Sequence, residues 1–366
     1  MEQSLYLEYV QKYFPQLVLA IVEKLNDKKD NVLPYLFKQL LTPTFSVDGR
    51  WQTLEGMYTR VAADVVAMDS PLPLKKRDSL GKASGEIPKL GMELFLNEKQ
   101  KSDIDAMIAQ GMDINTIVGK IFEDAPRVIA GIYERLEDMF LQGLSSGVAV
   151  AEGTEKSGDN VGTGIRIDYG YFDDHKFNVA VLWSDPDKAT PIDDIELLLK
   201  KAREDGNVIV KAYADKTAID SFCKAKQVRE QFAFTLGFTG TNIPVLGTEQ
   251  ASQTFQSKWG FPVEIVDRAI RTEANGVQTV KRPWKEGTIV FVTSTTNLGG
   301  LVWTRLAEMN HPVSGVNYQT VDNYMLVSKY RVNRPSLREY TTSQARVVPV
   351  IANPYGIYTL DSTVDD

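Results

Sequence analysis

Residues 71–92 read Pro-Leu-Pro-Leu-Lys-Lys-Arg-Asp-Ser-Leu-Gly-Lys-Ala-Ser-Gly-Glu-Ile-Pro-Lys-Leu-Gly-Met, a basic stretch with three prolines and three glycines. Proline removes a backbone donor and glycine a packing side chain, so neither a helix nor a central strand runs through it. Connections beyond about 12–15 residues without regular structure are usually functional or disordered. This one lies between two apolar strand-like runs and cannot bury a core of its own. It is a segment that finds its contacts on another molecule.

The rest of the chain has ample material to fold. Its 366 residues, 43% of them hydrophobic, suffice for two or three domains. A net charge of −7 argues against a nucleic-acid-binding surface spread over the whole chain, which needs clustered Lys and Arg. Cys223 is the single cysteine, which excludes an intramolecular disulfide framework and a cysteine-rich metal site and points to a reducing cytoplasm. The apolar run from Leu17 to Val22 is about a third of the ~20 residues a membrane span needs, so neither a signal peptide nor a transmembrane helix is expected.

Leu5, Tyr9, Val10, Phe14, Leu17 and Ile21 recur at helical spacing, predicting an amphipathic N-terminal helix interrupted near Pro15. It either packs on its own domain or reaches a neighbour as an arm. Residues from Phe45 to Met68 predict two strands around a turn at Asp48-Gly49-Arg50. The second of these, Tyr58–Met68, leads into the basic stretch and Leu90–Leu96 returns, so 50–97 is a long two-stranded excursion. Ile114, Ile117, Val118, Ile121 and Phe122, then Ile129, Ile132, Tyr133, Leu136, Phe140 and Leu144, predict one long helix or two in series. Asp124-Ala125-Pro126 marks a kink or a restart with an Asp cap. Glu134, Glu137 and Asp138 fall on the face opposite the apolar stripe.

After a polar loop at 152–164, strands are predicted at Ile165–Tyr171 and Phe177–Trp183. A second α/β region begins at Asp185. Thr190-Pro191-Ile192-Asp193 starts a helix that Gly206 ends, followed by a strand at Val208–Val210 and a helix over Thr217–Ala225. Val263–Ile270 and Val277–Val280 flank Asn275-Gly276, a β-hairpin signal, with Thr288–Thr293 continuing its sheet. Tyr324–Val332 and Ala345–Ala352 are the closing strands.

Chemistry-bearing residues are scarce. His175 and His311 are the only histidines, and neither sits in a catalytic or metal-binding signature. Cys223 beside Phe222 reads as a small buried apolar residue. Gly162-Thr163-Gly164 and Gly81-Lys82-Ala83-Ser84-Gly85 lack the strand–turn–helix context of a phosphate loop. Asp193-Asp194 and Asp185/Asp187 are the acids that a helix N-terminus favours. No catalytic, cofactor-binding or metal-ligating residue is assigned. The rival reading, a ligand-binding or acid/base α/β enzyme working through 185–335, would use Asp193, Asp194 and His311.

What remains is an interaction signature. Lys75, Lys76, Arg77, Lys82 and Lys89 outnumber Asp78 and Glu86 in the arm, whereas the long helix carries Glu123, Asp124, Glu134, Glu137 and Asp138. A basic arm meeting a neighbour's acidic helical face gains steering and register, screened by salt. The candidate intersubunit contacts are Lys75, Lys76, Arg77, Lys82 and Lys89, the arm residues Leu5, Tyr9 and Phe14, and the helix acids Glu134, Glu137 and Asp138.

The order of parts carries a family resemblance. A helical arm precedes Leu72-Pro73-Leu74-Lys75-Lys76-Arg77 and Gly85-Glu86-Ile87-Pro88-Lys89, and a long helix follows. Next come Trp183-Ser184-Asp185, Thr190-Pro191-Ile192-Asp193-Asp194-Ile195, Arg338-Glu339-Tyr340-Thr341-Thr342-Ser343-Gln344-Ala345 and Pro349-Val350-Ile351-Ala352-Asn353-Pro354. Over essentially its whole length the chain resembles the major capsid protein E family of tailed phages, the lambda type.

The resemblance implies an α+β chain with the Hong Kong 97 phage capsid fold. Its parts would be an N-terminal arm at 1–48, an extended E-loop at 49–97, a P-domain with a long spine helix at 98–184, an A-domain at 185–335, and a C-terminal strand at 336–366 returning to the P/A sheet. It implies a major capsid protein that self-assembles as hexamers and pentamers into an icosahedral shell around a double-stranded DNA genome. Assembly would take place in the host cytoplasm, with scaffolding, portal and decoration proteins as partners, without sequence-specific DNA contacts and without a membrane. Residues 1–48 are too few for a scaffolding domain, so scaffold is expected from a separate chain. Some relatives crosslink through a loop lysine, a role open to Lys75, Lys76 or Lys82. An encapsulin-like compartment shell shares the fold and is the nearest alternative.

Overall fold

A computed structural model describes residues 1–26, 34–52, 55–56, 80–81, 84–151, 164–237, 240, 243, 245–274, 276–296, 298–334 and 336–365. The chain opens with helices α1 (Leu7–Asn26) and α2 (Leu36–Leu40) and strand β1 (Leu41–Phe45). The short strands β2 (Arg50–Gln52), β3 (Glu55–Gly56), β4 (Leu80–Gly81) and β5 (Ser84–Glu86) lead to β6 (Lys89–Leu96). Three helices follow, α3 (Glu98–Ala109), α4 (Ile114–Ile121) and α5 (Ala125–Ser146), then β7 (Val148–Ala151), β8 (Ile165–Asp168) and β9 (Lys176–Val179). The next stretch is mainly helical: α6 (Pro191–Glu204), β10 (Lys211–Asp215), α7 (Lys216–Lys224), α8 (Lys226–Thr235) and α9 (Thr248–Trp259). The remainder is mainly strand: β11 (Val263–Val266), β12 (Ile270–Ala274), β13 (Val277–Lys281), β14 (Thr288–Val292) and β15 (Gly299–Thr304). After α10 (Ala307–Asn310) come β16 (Asn317–Val321), β17 (Met325–Val332), β18 (Arg338–Ile351) and β19 (Ile357–Asp365).

These strands form two main sheets. The first has the order β1-β15-β18-β17-β16, with β6 also paired to β18. β18 is long enough to serve two partners in succession along one edge. Its residues Glu339–Arg346 pair with β6 and Arg346–Ile351 with β15, so the handover falls at Arg346. The second sheet runs β11-β10-β14-β19-β9. Consecutive strands β18 and β19 therefore lie in different sheets and tie them together.

Helix α5 lies across the first sheet. Val128, Ile129, Ile132, Tyr133, Leu136, Met139, Phe140 and Leu144 are buried at the predicted helical spacing. At ~1.5 Å per residue the helix is about 33 Å long, and it ends at Gly147 in the left-handed conformation (φ +78°). Ser343 Oγ donates to the Val128 carbonyl at 2.5 Å, and Tyr169 Oη donates to Pro349 O at 2.7 Å, locking the helix and its neighbourhood onto β18. The second sheet is covered by α6–α9 around a separate core containing Trp183, Leu198, Phe222, Phe255, Phe291 and Tyr358.

Several sequence expectations shift. The N-terminal helix is continuous through Pro15, because Pro15 and Gln11 are exposed and water can satisfy the carbonyl that proline leaves free. Of the two strands expected around Asp48-Gly49-Arg50, the first is β1, which lies parallel to β15, and the second, Tyr58–Met68, lies outside the described residues; β2, which starts at Arg50, pairs with β5. The residues Ile114–Leu144 form two helices in series, α4 and α5, with the restart at Asp124-Ala125-Pro126 as expected. Asp124 makes no side-chain cap, and burial raises its carboxyl pKa. The strand expected at Val208–Val210 starts at Lys211. The hairpin at Asn275-Gly276 forms, but its first strand begins at Ile270, while Val263–Val266 and Thr288–Val292 belong to the second main sheet. Strands β15, β16 and β17 join the first sheet beside α5.

A buried lysine is the least expected core residue. Lys329, fully buried on β17, donates to the Ile121 carbonyl (2.9 Å) and Thr341 Oγ1 (3.0 Å) and lies over the Phe122 ring. It thereby satisfies an end carbonyl of α4, which has no helical partner. Burial pulls its pKa down to about 8, with Glu339 and Asp124 opposing the shift. Glu339 in turn accepts from Ser4 Oγ and, at 3.2 Å, from the Leu5 amide, fastening the N-terminus to β18.

The helix–sheet contact allows no side chain at Gly143, where a Cβ would stand 2.3 Å from Tyr169 Cε2. Gly143→Val should therefore destabilise the subunit by about 2–3 kcal/mol in chemical denaturation. Gly119→Ala, at an exposed position of α4 with nothing within 4 Å of a Cβ, should be neutral or mildly stabilising.

Candidate assembly surface

The described residues of the excursion predicted over 50–97 pair as an antiparallel ladder. Arg50, Trp51 and Gln52 pair with Glu86, Gly85 and Ser84, and further out Glu55 and Gly56 pair with Gly81 and Leu80. Its root is pinned from both sides. Trp51 is buried against Gly85, where a Cβ would lie 2.8 Å from the indole nitrogen. The Ile87 amide donates to Gly49 O at 2.9 Å, and the Arg346 guanidinium reaches Ile87 O at 3.5 Å. Arg346 is the residue at which β18 changes partners, so the excursion springs from the branch point of the first sheet. Lys75, Lys76, Arg77 and Lys82 lie outside the described residues. Lys89 is exposed at the start of β6, in register with Arg346.

The arm residues divide by exposure. Leu5 is exposed and Tyr9 half-buried, but Phe14 is only 1% exposed and stacks on Phe122 at 5.8 Å. Phe14 is thus core of its own subunit, and an intersubunit role is not open to it in this conformation. The helix acids are corrected in the same way, because the carboxylates expected to face a neighbour already have partners within the chain. Glu134 accepts from Tyr35 Oη (2.8 Å) and pairs with Arg268 (2.6 Å). Glu137, 1% exposed, accepts the Leu36 (3.0 Å) and Phe37 (3.1 Å) amides and so satisfies two free donors at the start of α2. Asp138, fully buried, pairs with Arg135 (3.0 Å) and Lys281 (3.1 Å) and accepts from Gln142 (2.7 Å).

Arg268 and Lys281 flank the β12–β13 hairpin, so its two feet stand on two carboxylates of α5. Among the described residues the hairpin belongs to no larger sheet. The alternating pattern of 270–281 made it predictable, but its footing on the helix joins residues over 130 positions apart and carries no local signal.

The residues weighed for chemistry occupy structural positions. His175 is buried, stacks on Tyr358 at 4.1 Å and lies 3.3 Å from Asp205, and burial lowers its pKa. The Cys223 thiol is buried and pushed up to about 11, chiefly by desolvation. Asp194 accepts from Trp183 Nε1 (2.8 Å) and the Ala180 amide (3.3 Å), while Asp193 accepts from Gln227 (2.8 Å). His311 follows α10 in the connection between two strands of the first sheet, so it does not join Asp193 and Asp194 on α6. Among the described residues no group of three His, Cys, Asp or Glu could hold a metal ion, and no helix is long and apolar enough to cross a membrane.

The Glu137 carboxyl is pushed up to about 7, because burial outweighs the two amides and Arg268. A carboxyl whose pKa is raised on folding contributes stability that is full below its unfolded value and lost as pH rises through the folded one. Subunit stability should accordingly fall by about 3 kcal/mol between pH 4 and pH 8 on this group's account, and Glu137→Gln, which cannot ionise but leaves one of the two amides facing an NH2 group, should lose that fall from a lower starting stability. Thermal melts at pH 4 and pH 8 would show both effects.

Comparison with known proteins agrees with this architecture. Residues 20–362 match the model of the family described as phage major capsid protein E. Among solved structures, a prophage protein from E. coli CFT073 assigned as a capsid protein aligns with a TM-score of 0.57 at 15% identity, covering 94% of this chain and 98% of its own. A phage-related protein from Bordetella bronchiseptica RB50 aligns with a TM-score of 0.53 at 12% identity, covering 95% and 97%. Among curated protein sequences none matches. The structural likenesses speak for the fold, and the family match spans nearly the whole chain. The chain belongs to the phage major capsid protein E family, has the Hong Kong 97 capsid fold and is a shell-forming capsid protein.

Proposed function

We propose that copies of this chain close into hexamers and pentamers, and then an icosahedral shell, through heterologous contacts in which the 49–97 excursion lies over a neighbouring copy. The observation that carries this reading is the excursion's form, a paired ladder anchored at Trp51, Gly85 and Arg346. In this division of labour residues 1–48 act as the arm, 98–184 as the P-domain around α5, 185–335 as the A-domain and 336–366 as the returning C-terminal strands. The candidate contacts that remain open are Lys75, Lys76, Arg77, Lys82, Lys89, Leu5 and Tyr9.

Scaffolding and portal proteins are the expected assembly partners, with assembly in the host cytoplasm before packaging of double-stranded DNA. The acidic balance supports a shell that encloses DNA without gripping it, since a strongly basic lining would bind phosphate tightly. The role is structural rather than enzymatic.

Negative-stain microscopy of the expressed chain, alone and with its cognate scaffold, should show large hollow particles; a monomer persisting under both conditions would overturn the reading. Deleting 71–79, beyond the paired root, should leave a subunit with unchanged circular dichroism that no longer closes shells. Purified subunits should elute free of double-stranded DNA at moderate salt, and strong retention would contradict the proposed lining.

A further inference from the structure

The β12–β13 hairpin is the one conspicuous element that the excursion and arm leave unexplained. Its base is fixed: Ile270 is buried, Arg268 pairs with Glu134, and Lys281 pairs with Asp138. Beyond the base it is exposed, with Val277 and Val280 both more than 60% accessible on its two faces. An isolated two-stranded ribbon is marginal in water, and an unpaired strand edge is a template for another strand.

The edge of β1 shows how this chain blunts such a template. The Ser46 amide donates to Trp303 O and the Leu298 amide to Leu40 O, so even-numbered residues of β1 turn their backbone groups toward β15. Pro43 therefore faces outward, where a partner strand would need a donor. The hairpin carries no such proline. Ala274 and Val277 flank the two-residue connection as a hydrogen-bonded pair, and Thr272–Thr279 and Ile270–Lys281 repeat that state two residues on. The backbone groups of Arg271 and Glu273 consequently point away from β13, on the free edge.

That edge is complementary to itself. We infer that β12 pairs antiparallel with β12 of a second copy across a two-fold axis at Thr272, giving a four-stranded sheet between subunits. In this register Arg271 lies opposite the partner's Glu273 and exchanges both backbone hydrogen bonds with it, and symmetry repeats the pair. Four backbone hydrogen bonds and two ion pairs form, and the exposed Arg271 and Glu273 side chains fall on one face with opposite charges in contact. A register one residue away places Arg271 or Glu273 opposite a residue whose backbone groups face inward. This inference rests on the chain being a shell-forming protein and names an isologous contact distinct from the heterologous ones proposed above.

The test uses the full-length chain in particles. Arg271→Glu and Glu273→Arg each set like charges against each other on both sides of the axis, and each should cut the yield of closed particles by roughly tenfold. The double variant Arg271→Glu/Glu273→Arg restores opposite pairs and should recover wild-type yield, while all three should melt like wild type because the hairpin's footing is untouched. Thr272→Cys adds a readout independent of yield. A non-hydrogen-bonded pair on the axis puts the two Cα atoms about 4.5 Å apart, within disulfide range, and the native Cys223 is buried. Oxidised Thr272→Cys particles should run as covalent dimers on non-reducing gels. Particles that form normally with either reversal and stay uncrosslinked at position 272 would overturn the inference. So would intact particles in which the reversals abolish only the binding of a separate decoration protein. If wild type forms no particles at all, the assembly reading itself fails, which is a different result.

Discussion

One strand, β18, organises the subunit. Its 14 residues pair with β17 along one edge and with β6 and then β15 along the other, while α5 presses on its face. Such a strand has no free edge over most of its length, and its buried hydroxyls must find partners inside. Ser343 does so on the α5 backbone, and Thr341 on the Lys329 ammonium. The excursion springs from the handover at Arg346, and the N-terminus is fastened to the same strand through Glu339. The parts proposed to reach other subunits are thus rooted in one rigid element.

Buried charge has a comparable role on α5. Glu134, Glu137 and Asp138 lie on consecutive turns and hold three remote segments: the start of α2, the Arg268 foot and the Lys281 foot. Burying carboxylates is unfavourable unless hydrogen bonds and counter-charges replace water. Here two backbone amides, a tyrosine hydroxyl, a glutamine amide, two arginines and a lysine supply that replacement. The strip works as an internal socket, so a neighbour's basic loop would have to displace contacts already made. The interaction chemistry proposed above accordingly lies on the hairpin and excursion rather than on the helix.

Legibility in the sequence followed the range of the interactions. The α5 stripe, the hairpin at 275–276 and the strands at 90–96 and 325–332 were readable because each rests on local periodicity or turn chemistry. Helices α8 and α9 were not, since their apolar faces are narrow and the aromatic cluster of Phe222, Phe255, Trp259 and Phe261 that covers them forms only in the fold. Strand β19 was hidden behind the stop at Asn353-Pro354, although Ile357–Ser362 is fully buried between two neighbours. Among the candidate contact residues, the identity of Phe14 as apolar was plain, but whether it faced its own core or a neighbour depended on Phe122, more than 100 positions away.

By itself, the amino-acid order determined the class of the protein: an acidic α+β chain with one cysteine, no catalytic signature, and a basic, proline-punctuated segment unable to fold alone. These follow from composition and short-range backbone chemistry, which operate within a few residues. Only the tertiary structure decided where charge ends up. It buried Glu137, Asp138 and Lys329, assigned β15–β17 to the sheet of α5, and left the β12 edge without a partner strand among the described residues. The physical reason is that a charged side chain reads as solvent-facing until the fold supplies amides and counter-ions to replace water, and those partners lie tens to hundreds of residues away.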